Sequence, residues 1–294
     1  MPPSRRPACA SRSSATRRTR SRPPPIRSGR PPNQRNLQNG LNFCETQANQ
    51  DSADTLHANG VLGVGIAPTD CPACTSGSNI SPMYYNCAGN GAMDSCTALL
   101  APLAANQQVP NPVTRFPVDN NGVIVELPAV PSTGAPSANG VLVFGIGTQA
   151  NNGLGKAQVF TTDGAGNFST VFNGATFPAS FFDSGSNSLF FAANGIPTCA
   201  DATGFFCPAS PVSLSALLEG ANGTNATLDF SVANTDTLTD SGNFAFNDQG
   251  GSAGAFFPNG TTFDWGLPAF YGRNIFTAIA GASTPGGAGP YYAF

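Results

Sequence analysis

The sequence predicts an all-β protein on three observations. Only 10% of its 294 residues are charged, whereas glycine (34) and proline (26) are abundant. Its apolar runs are short and bounded by turn dipeptides such as Asn-Gly. Helical signals are few. This composition favours short strands joined by turns.

The first 36 residues differ in charge from the rest of the chain. They hold ten of the 13 basic residues and none of the 16 acidic ones, so residues 37–294 carry a net charge of −13. Prolines at 23–25 and 31–32 and the lack of apolar periodicity predict a disordered basic leader over residues 1–43.

Three interpretations of this leader compete, namely a nucleic-acid-binding arm, an organellar transit peptide, and an artefact of a wrong reading frame or start. The artefact is the one retained, with a genuine disordered tail as its alternative. Missing aromatic residues argue against the first, and the proline clusters argue against the second. The acidic body repels nucleic acid and anionic membrane surfaces, and no apolar run reaches 18 residues. We therefore expect neither a nucleic-acid partner nor a membrane span.

Strand and turn patterns begin after residue 50. The runs 58–66 and 138–146 share an Asn-Gly start followed by apolar residues, and residues 227–233 alternate apolar with polar. Turns are predicted at 119–122 and 163–167, each as the centre of a hairpin. Short helices are predicted at 95–105, 213–219 and 268–273.

Cysteine spacing predicts disulfides. We expect a bridge between Cys199 and Cys207 and two bridges within the group Cys71, Cys74, Cys87 and Cys96, whose pairing stays open. Cys44 then has no partner. Disulfides indicate an exported protein, although the chain shows no signal peptide.

Zinc is the alternative for these cysteines. Cys71-Pro-Ala-Cys74 has the spacing of a zinc knuckle, but Cys87 and Cys96 are too far apart for a ribbon and no histidine follows nearby. We therefore expect no metal. No phosphate-binding Gly-x-x-x-x-Gly-Lys loop is present, so no nucleotide cofactor is expected either.

The candidate site lies at residues 180–191. Apolar residues lead into Asp183-Ser184-Gly185-Ser186, and apolar residues follow it. This pattern predicts a carboxylate on a tight turn between two buried strands. A turn aspartate that only accepts backbone hydrogen bonds is the plainer alternative. His57, the single histidine, lacks a nucleophile signature around it and is interpreted as a surface residue.

The turn resembles the catalytic loop of pepsin-like aspartic peptidases. Segments 60–65 and 111–147 resemble the segment that closes the amino lobe in that family and the crossing into the carboxyl lobe. Segment 265–279 resembles the final glycine motif, short helix and strand of the carboxyl lobe. The resemblance therefore covers about residues 44–294. The motifs Asp183-Ser-Gly-Ser-Asn and Phe263-Asp-Trp-Gly-Leu-Pro are most similar in sequence to those of an exported proteobacterial family of unknown function.

The departures from the peptidase pattern bear on activity. Such enzymes use two carboxylates, one from each lobe, that share a proton. No Asp-Thr/Ser-Gly precedes Gly60, and the second copy, Asp240-Ser-Gly242, lies in polar surroundings and is interpreted as a surface turn. Leu267 replaces the aspartate that commonly follows the late glycine.

The resemblance implies a pepsin-like fold with an incomplete amino-terminal lobe. Its expected divisions are the leader (1–43), a lobe remnant with a disulfide-rich loop (44–110) and a carboxyl-terminal lobe (111–294). It implies a truncated, inactive form of an exported, monomeric peptidase whose candidate catalytic residues are Asp183, Ser184, Gly185 and Ser186 and whose substrate is polypeptide. The alternative is a non-enzymatic exported protein that binds peptide or envelope material on the same fold.

Overall fold

The structure is a computed structural model. It describes residues 64–76, 101–257 and 260–294, and the backbone of three strands outside these ranges. The expectations for Cys44, His57 and residues 58–63 lie outside the described residues, as does the leader apart from residues 27–28.

The chain divides into two compact units, residues 1–63 with 67–111 and residues 64–66 with 112–294. In the first unit, a three-stranded antiparallel sheet is formed by β1 (Arg27–Ser28), β2 (Tyr84–Cys87) and β3 (Cys96–Ala98). Its described 3₁₀ helices are Pro72–Thr75 and Ala105–Gln107. The helix predicted over 95–105 is wrong, because its described residues form β3 and an irregular segment before the second 3₁₀ turn.

The second unit is built on two larger sheets. The five-stranded sheet has the order β5-β4-β14-β17-β6, and the seven-stranded sheet has the order β11-β10-β7-β8-β13-β9-β12. The strands are β4 (Gly122–Glu126), β5 (Val141–Phe144), β6 (Val159–Thr161), β7 (Phe168–Phe172), β8 (Ala175–Asp183), β9 (Leu189–Phe191), β10 (Val212–Glu219), β11 (Asn225–Val232), β12 (Gly250–Ser252), β13 (Thr262–Gly266), β14 (Asn274–Ala278), β15 (Ser283–Thr284), β16 (Gly287–Ala288) and β17 (Tyr291–Ala293).

Helices in this unit are short. They are the α-helices α1 (Thr235–Asp240) and α2 (Ala253–Phe256) and the 3₁₀ helices Pro112–Arg115 and Leu267–Phe270. The all-β prediction is confirmed, and β15 pairs only with β16 in a separate hairpin. Among the described residues no helix has the length and apolar character that a membrane span requires.

The predicted helix at 213–219 is wrong, since these residues lie in β10. Leu214, Ala216 and Leu218 recur every second residue and alternate with Ser213, Ser215 and Leu217, which is the period of a strand. Pairing with β11 over eight positions fixes that register.

The two predicted hairpin turns differ from expectation in what they join. The turn at 163–167 is present and lies between β6 and β7, but these strands belong to different sheets. The segment before 119–122 contains the 3₁₀ helix Pro112–Arg115 instead of a strand. A two-residue hairpin instead connects β7 to β8 through Asn173 and Gly174, both with positive φ.

Strand β8 delivers the candidate site to the edge of an aromatic core. It carries one extra residue relative to β7 near Pro178, where the missing N–H of proline fits the interrupted pairing. Beyond this bulge Phe182 packs against Trp265 and Phe270, and Asp183 ends the strand. The rings of Phe263 and Trp265 stack in the same core with centroids 4.4 Å apart.

Candidate functional site

The predicted turn is present at the end of β8. The Ser186 N–H donates to the Asp183 carbonyl oxygen at 3.1 Å, and the Gly185 N–H donates to Asp183 Oδ1 at 2.8 Å. Asp183 therefore caps its own turn, as the plainer alternative requires. Ser184 and Gly185 are exposed, whereas Asp183 and Ser186 are half-buried.

A fully buried strand passes directly against this turn. β13 pairs in parallel with β8 so that Gly266 lies opposite Asp183. A Cβ at Gly266 would lie 2.1 Å from the Ser188 carbonyl oxygen and 2.7 Å from that of Ser186, so only glycine fits there. The Leu267 N–H then donates to the Ser186 carbonyl oxygen at 2.7 Å.

This crossing places a second carboxyl group at the turn. The Ser186 Oγ lies 3.1 Å from Asp183 Oδ2 and 2.6 Å from Asp264 Oδ2. Asp264 is completely buried, and its Oδ1 has no hydrogen-bond partner in the part of the chain that the structure describes. Burial raises the pKa of Asp264 to about 8, the negative charge of Asp183 adds to the rise, and the hydrogen bond with Ser186 opposes it.

The Asp-Ser-Gly-Ser pattern predicts Asp183 and Ser186 as site residues, and Asp264 lies outside that pattern. The available signal was an isolated acid in the apolar segment before Trp265 and Gly266. A carboxylate in a fully buried strand is rare without a partner, so an acid within an apolar segment indicates a candidate site residue. The second Asp-Ser-Gly copy is exposed at the end of α1, as expected for a surface turn.

Two disulfides are formed among the described cysteines, Cys71–Cys74 and Cys199–Cys207. The second matches the sequence prediction, and the first resolves one of the open pairings. Because both thiols of each pair are bonded, neither the zinc-knuckle segment nor the cluster of Cys199, Cys207 and Asp236 offers free thiolates to a metal. Cys87 and Cys96 lie opposite each other in the pairing of β2 with β3.

A groove of about 640 Å³ opens elsewhere in the second unit and does not include the Asp183 turn. It is lined by Leu214, Phe230, Trp265, Tyr271, Arg273 and Asp229, among others. The Arg273 Nη1 donates to the carbonyl oxygens of Ala269 and Tyr271, and burial alone lowers the pKa of this guanidinium. The groove is lined by apolar and polar side chains together and carries one charge of each sign.

A family model for a protein of unknown function (DUF3443) matches residues 33–294. The chain belongs to the DUF3443 family. No curated protein matches it. In this DUF3443 protein the match includes the Asp183 turn, β13 and both described disulfides, so the candidate site lies within the family region.

Proposed function

We propose, against the inactivity that the single Asp-Ser-Gly motif predicts, that this DUF3443 protein is an exported, pepsin-like protein whose Asp183 turn serves the hydrolysis of polypeptides. The reason for the change is Asp264, a second carboxyl group at the turn that the motif pattern does not include. The observation that carries the proposal is the crossing of Gly266 against the Asp183-Ser-Gly-Ser186 turn. It unites, at one point, the two most specific segments of the resemblance to aspartic peptidases. The disulfides support export, because such bonds persist in oxidising compartments.

In this proposal Asp183 is the general base. Its Oδ1 is engaged by the Gly185 N–H and its Oδ2 by Ser186, which fixes the carboxylate at a half-buried position next to solvent. The ionised carboxylate takes a proton from water while the water oxygen attacks the peptide carbonyl carbon. The same proton is then available to the departing amine nitrogen.

The test is proteolysis of an unfolded polypeptide between pH 3 and 5 by the full chain. Asp183→Asn should lower the rate at least 100-fold, whereas Asp240→Asn, in the exposed second copy of the motif, should leave it unchanged. Equal rates for the native chain and Asp183→Asn would contradict the proposal, and so would a well-folded native chain without activity.

A second candidate function, non-enzymatic binding of extended peptide, is favoured by the groove. β11 ends the seven-stranded sheet, and apart from its pairing with β10 its backbone makes no hydrogen bond among the described residues. Such an edge can pair with an added strand. Leu228, Asp229, Phe230 and Ser231 of this strand also line the groove, so a peptide on the edge would contact the groove as well.

Fluorescence anisotropy with a labelled unfolded polypeptide tests this second candidate in the Asp183→Asn background. Asp229→Lys reverses a charge in the groove and should change the affinity at least fivefold, whereas Asp240→Lys reverses an exposed charge outside the groove lining and should not. Equal affinity in the two charge-reversal variants would exclude the groove as the binding site.

A further inference from the structure

One hydroxyl group lies between two carboxyl groups at the Asp183 turn. Ser186 Oγ has a single proton, yet it lies within hydrogen-bond distance of Asp183 Oδ2 and Asp264 Oδ2. If both carboxyl groups were ionised, the hydroxyl could donate to only one of them, and its lone pairs would face the other at close range. The arrangement is satisfied only when one carboxyl group carries a proton.

Burial decides which carboxyl group that is. Asp264 is completely buried with one oxygen unpartnered among the described residues, whereas Asp183 is half-buried and accepts a backbone N–H. An ionised carboxylate is strongly disfavoured without solvent or partners. The charge of Asp183 adds to the rise for Asp264, and both carboxyl groups help to raise the pKa of the buried Tyr292 phenol, so this phenol is neutral. No basic group contributes to the pKa of Asp264.

We propose that Asp264 holds the single proton of an Asp264–Ser186–Asp183 relay and is the positioning residue that, through Ser186, orients the Asp183 carboxylate. The Asp264 O–H donates to Ser186 Oγ, and the Ser186 O–H donates to Asp183 Oδ2. This inference rests on the proposed hydrolytic function, because it assigns a role to Asp264 in the same reaction.

The proton held by Asp264 is not transferred during that reaction. When water attacks the peptide carbonyl carbon, a water O–H bond breaks, a C–O bond forms and the proton moves to Asp183. The C–N bond then breaks and Asp183 passes this proton to the amine nitrogen. Asp264 stays neutral throughout, so no second negative charge opposes the ionised base.

The relay fails when Asp264 loses its proton. The Ser186 hydroxyl can then donate its one proton to only one of the two carboxylates. The negative charge of Asp264 also lies close to that of Asp183, on the other side of the hydroxyl. Any hydrolytic rate should therefore decline as the pH rises through the value at which Asp264 ionises, about 8. In Asp264→Asn the amide N–H₂ donates permanently to Ser186, so this alkaline decline should disappear.

The experiment is a carboxyl ¹³C NMR titration of the full chain labelled at aspartate, recorded with pH–rate profiles. The Asp264 resonance is assigned by its loss in Asp264→Asn. It should report a neutral acid at pH 6 and titrate near pH 8, and Ser186→Ala should shift that titration, because it removes the hydroxyl that lies between Asp264 and Asp183. Asp240→Asn is the control and should leave the Asp264 titration in place.

The outcomes separate the relay from the hydrolytic function. A neutral Asp264 that responds to Ser186→Ala in a chain without proteolysis supports the relay and refutes the hydrolysis. An ionised Asp264 at pH 6, or an alkaline decline in rate that persists in Asp264→Asn, overturns the relay even when proteolysis is observed.

Discussion

Asp264 lies on a strand whose five residues are all buried, between aromatic neighbours that face the opposite side of the sheet. Its environment stabilises the neutral acid, since burial and the charge of Asp183 both raise its pKa. Asp248 is a second buried acid of this kind: neither of its oxygens accepts a hydrogen bond from another described residue, and burial raises its pKa to about 6. The folded protein therefore retains protons that the unfolded chain releases.

The pH dependence of stability follows from Asp264. The folded state keeps this proton up to about pH 8, whereas the unfolded chain releases it near 3.8, so the free energy of unfolding falls as the pH rises between these values. The expected slope from this one group is about 1.4 kcal/mol per pH unit. Urea denaturation at pH 5, 6, 7 and 8 should show a smaller loss of stability in Asp264→Asn than in the native chain. Asp240→Asn should follow the native curve, and identical curves for all three proteins would refute the assignment.

At the scale of elements, the site depends on a glycine that lets two segments touch. Gly266 ends β13 where its backbone lies against the carbonyl oxygens of Ser186 and Ser188. The Leu267–Phe270 3₁₀ helix follows at once and places Ala269 and Phe270 in the core. The turn, the strand and the helix are therefore held in one arrangement.

Gly266→Ala should destabilise the second unit by about 2–3 kcal/mol, because the added methyl group meets backbone oxygens that cannot move independently. Gly153→Ala is the matched control. No atom lies within 4 Å of the Cβ it would add, and its stability should change by less than about 0.5 kcal/mol. Denaturant midpoints measure both, and equal midpoints would show that the close approach at Gly266 is absent.

The elements also show what the sequence could predict. The alternation at 227–233 and the apolar run at 138–146 predicted strands because period and turns were local signals. β10 was mistaken for a helix because serine, alanine and leucine are compatible with both periods over seven residues. The hydrogen bond between Asp264 and Ser186 could not be predicted from the sequence. The two residues are 78 positions apart, and the parallel pairing of β13 with β8 brings them together.

At the scale of the whole molecule, the second unit contains the aromatic core, the candidate site and the groove described above. The seven-stranded sheet carries the Asp183 turn between β8 and β9 and ends at β11, whose outer edge pairs with no other strand in the part of the chain that the structure describes. The groove lining contains neither Asp183, Ser186 nor Asp264, so the two candidate functions use different residues. Variants can therefore distinguish hydrolysis from peptide binding in the same chain.

If the Asp183 turn serves peptide hydrolysis as proposed, it should bind a mimic of the tetrahedral state of that reaction. Calorimetric titration of the full chain with a statine-type inhibitor at pH 4 tests it without requiring turnover. We expect the native chain and Asp240→Asn to bind with equal affinity and Asp183→Asn to bind at least tenfold more weakly. A folded native chain that does not bind the inhibitor, or binding that Asp183→Asn leaves unchanged, would contradict the claim.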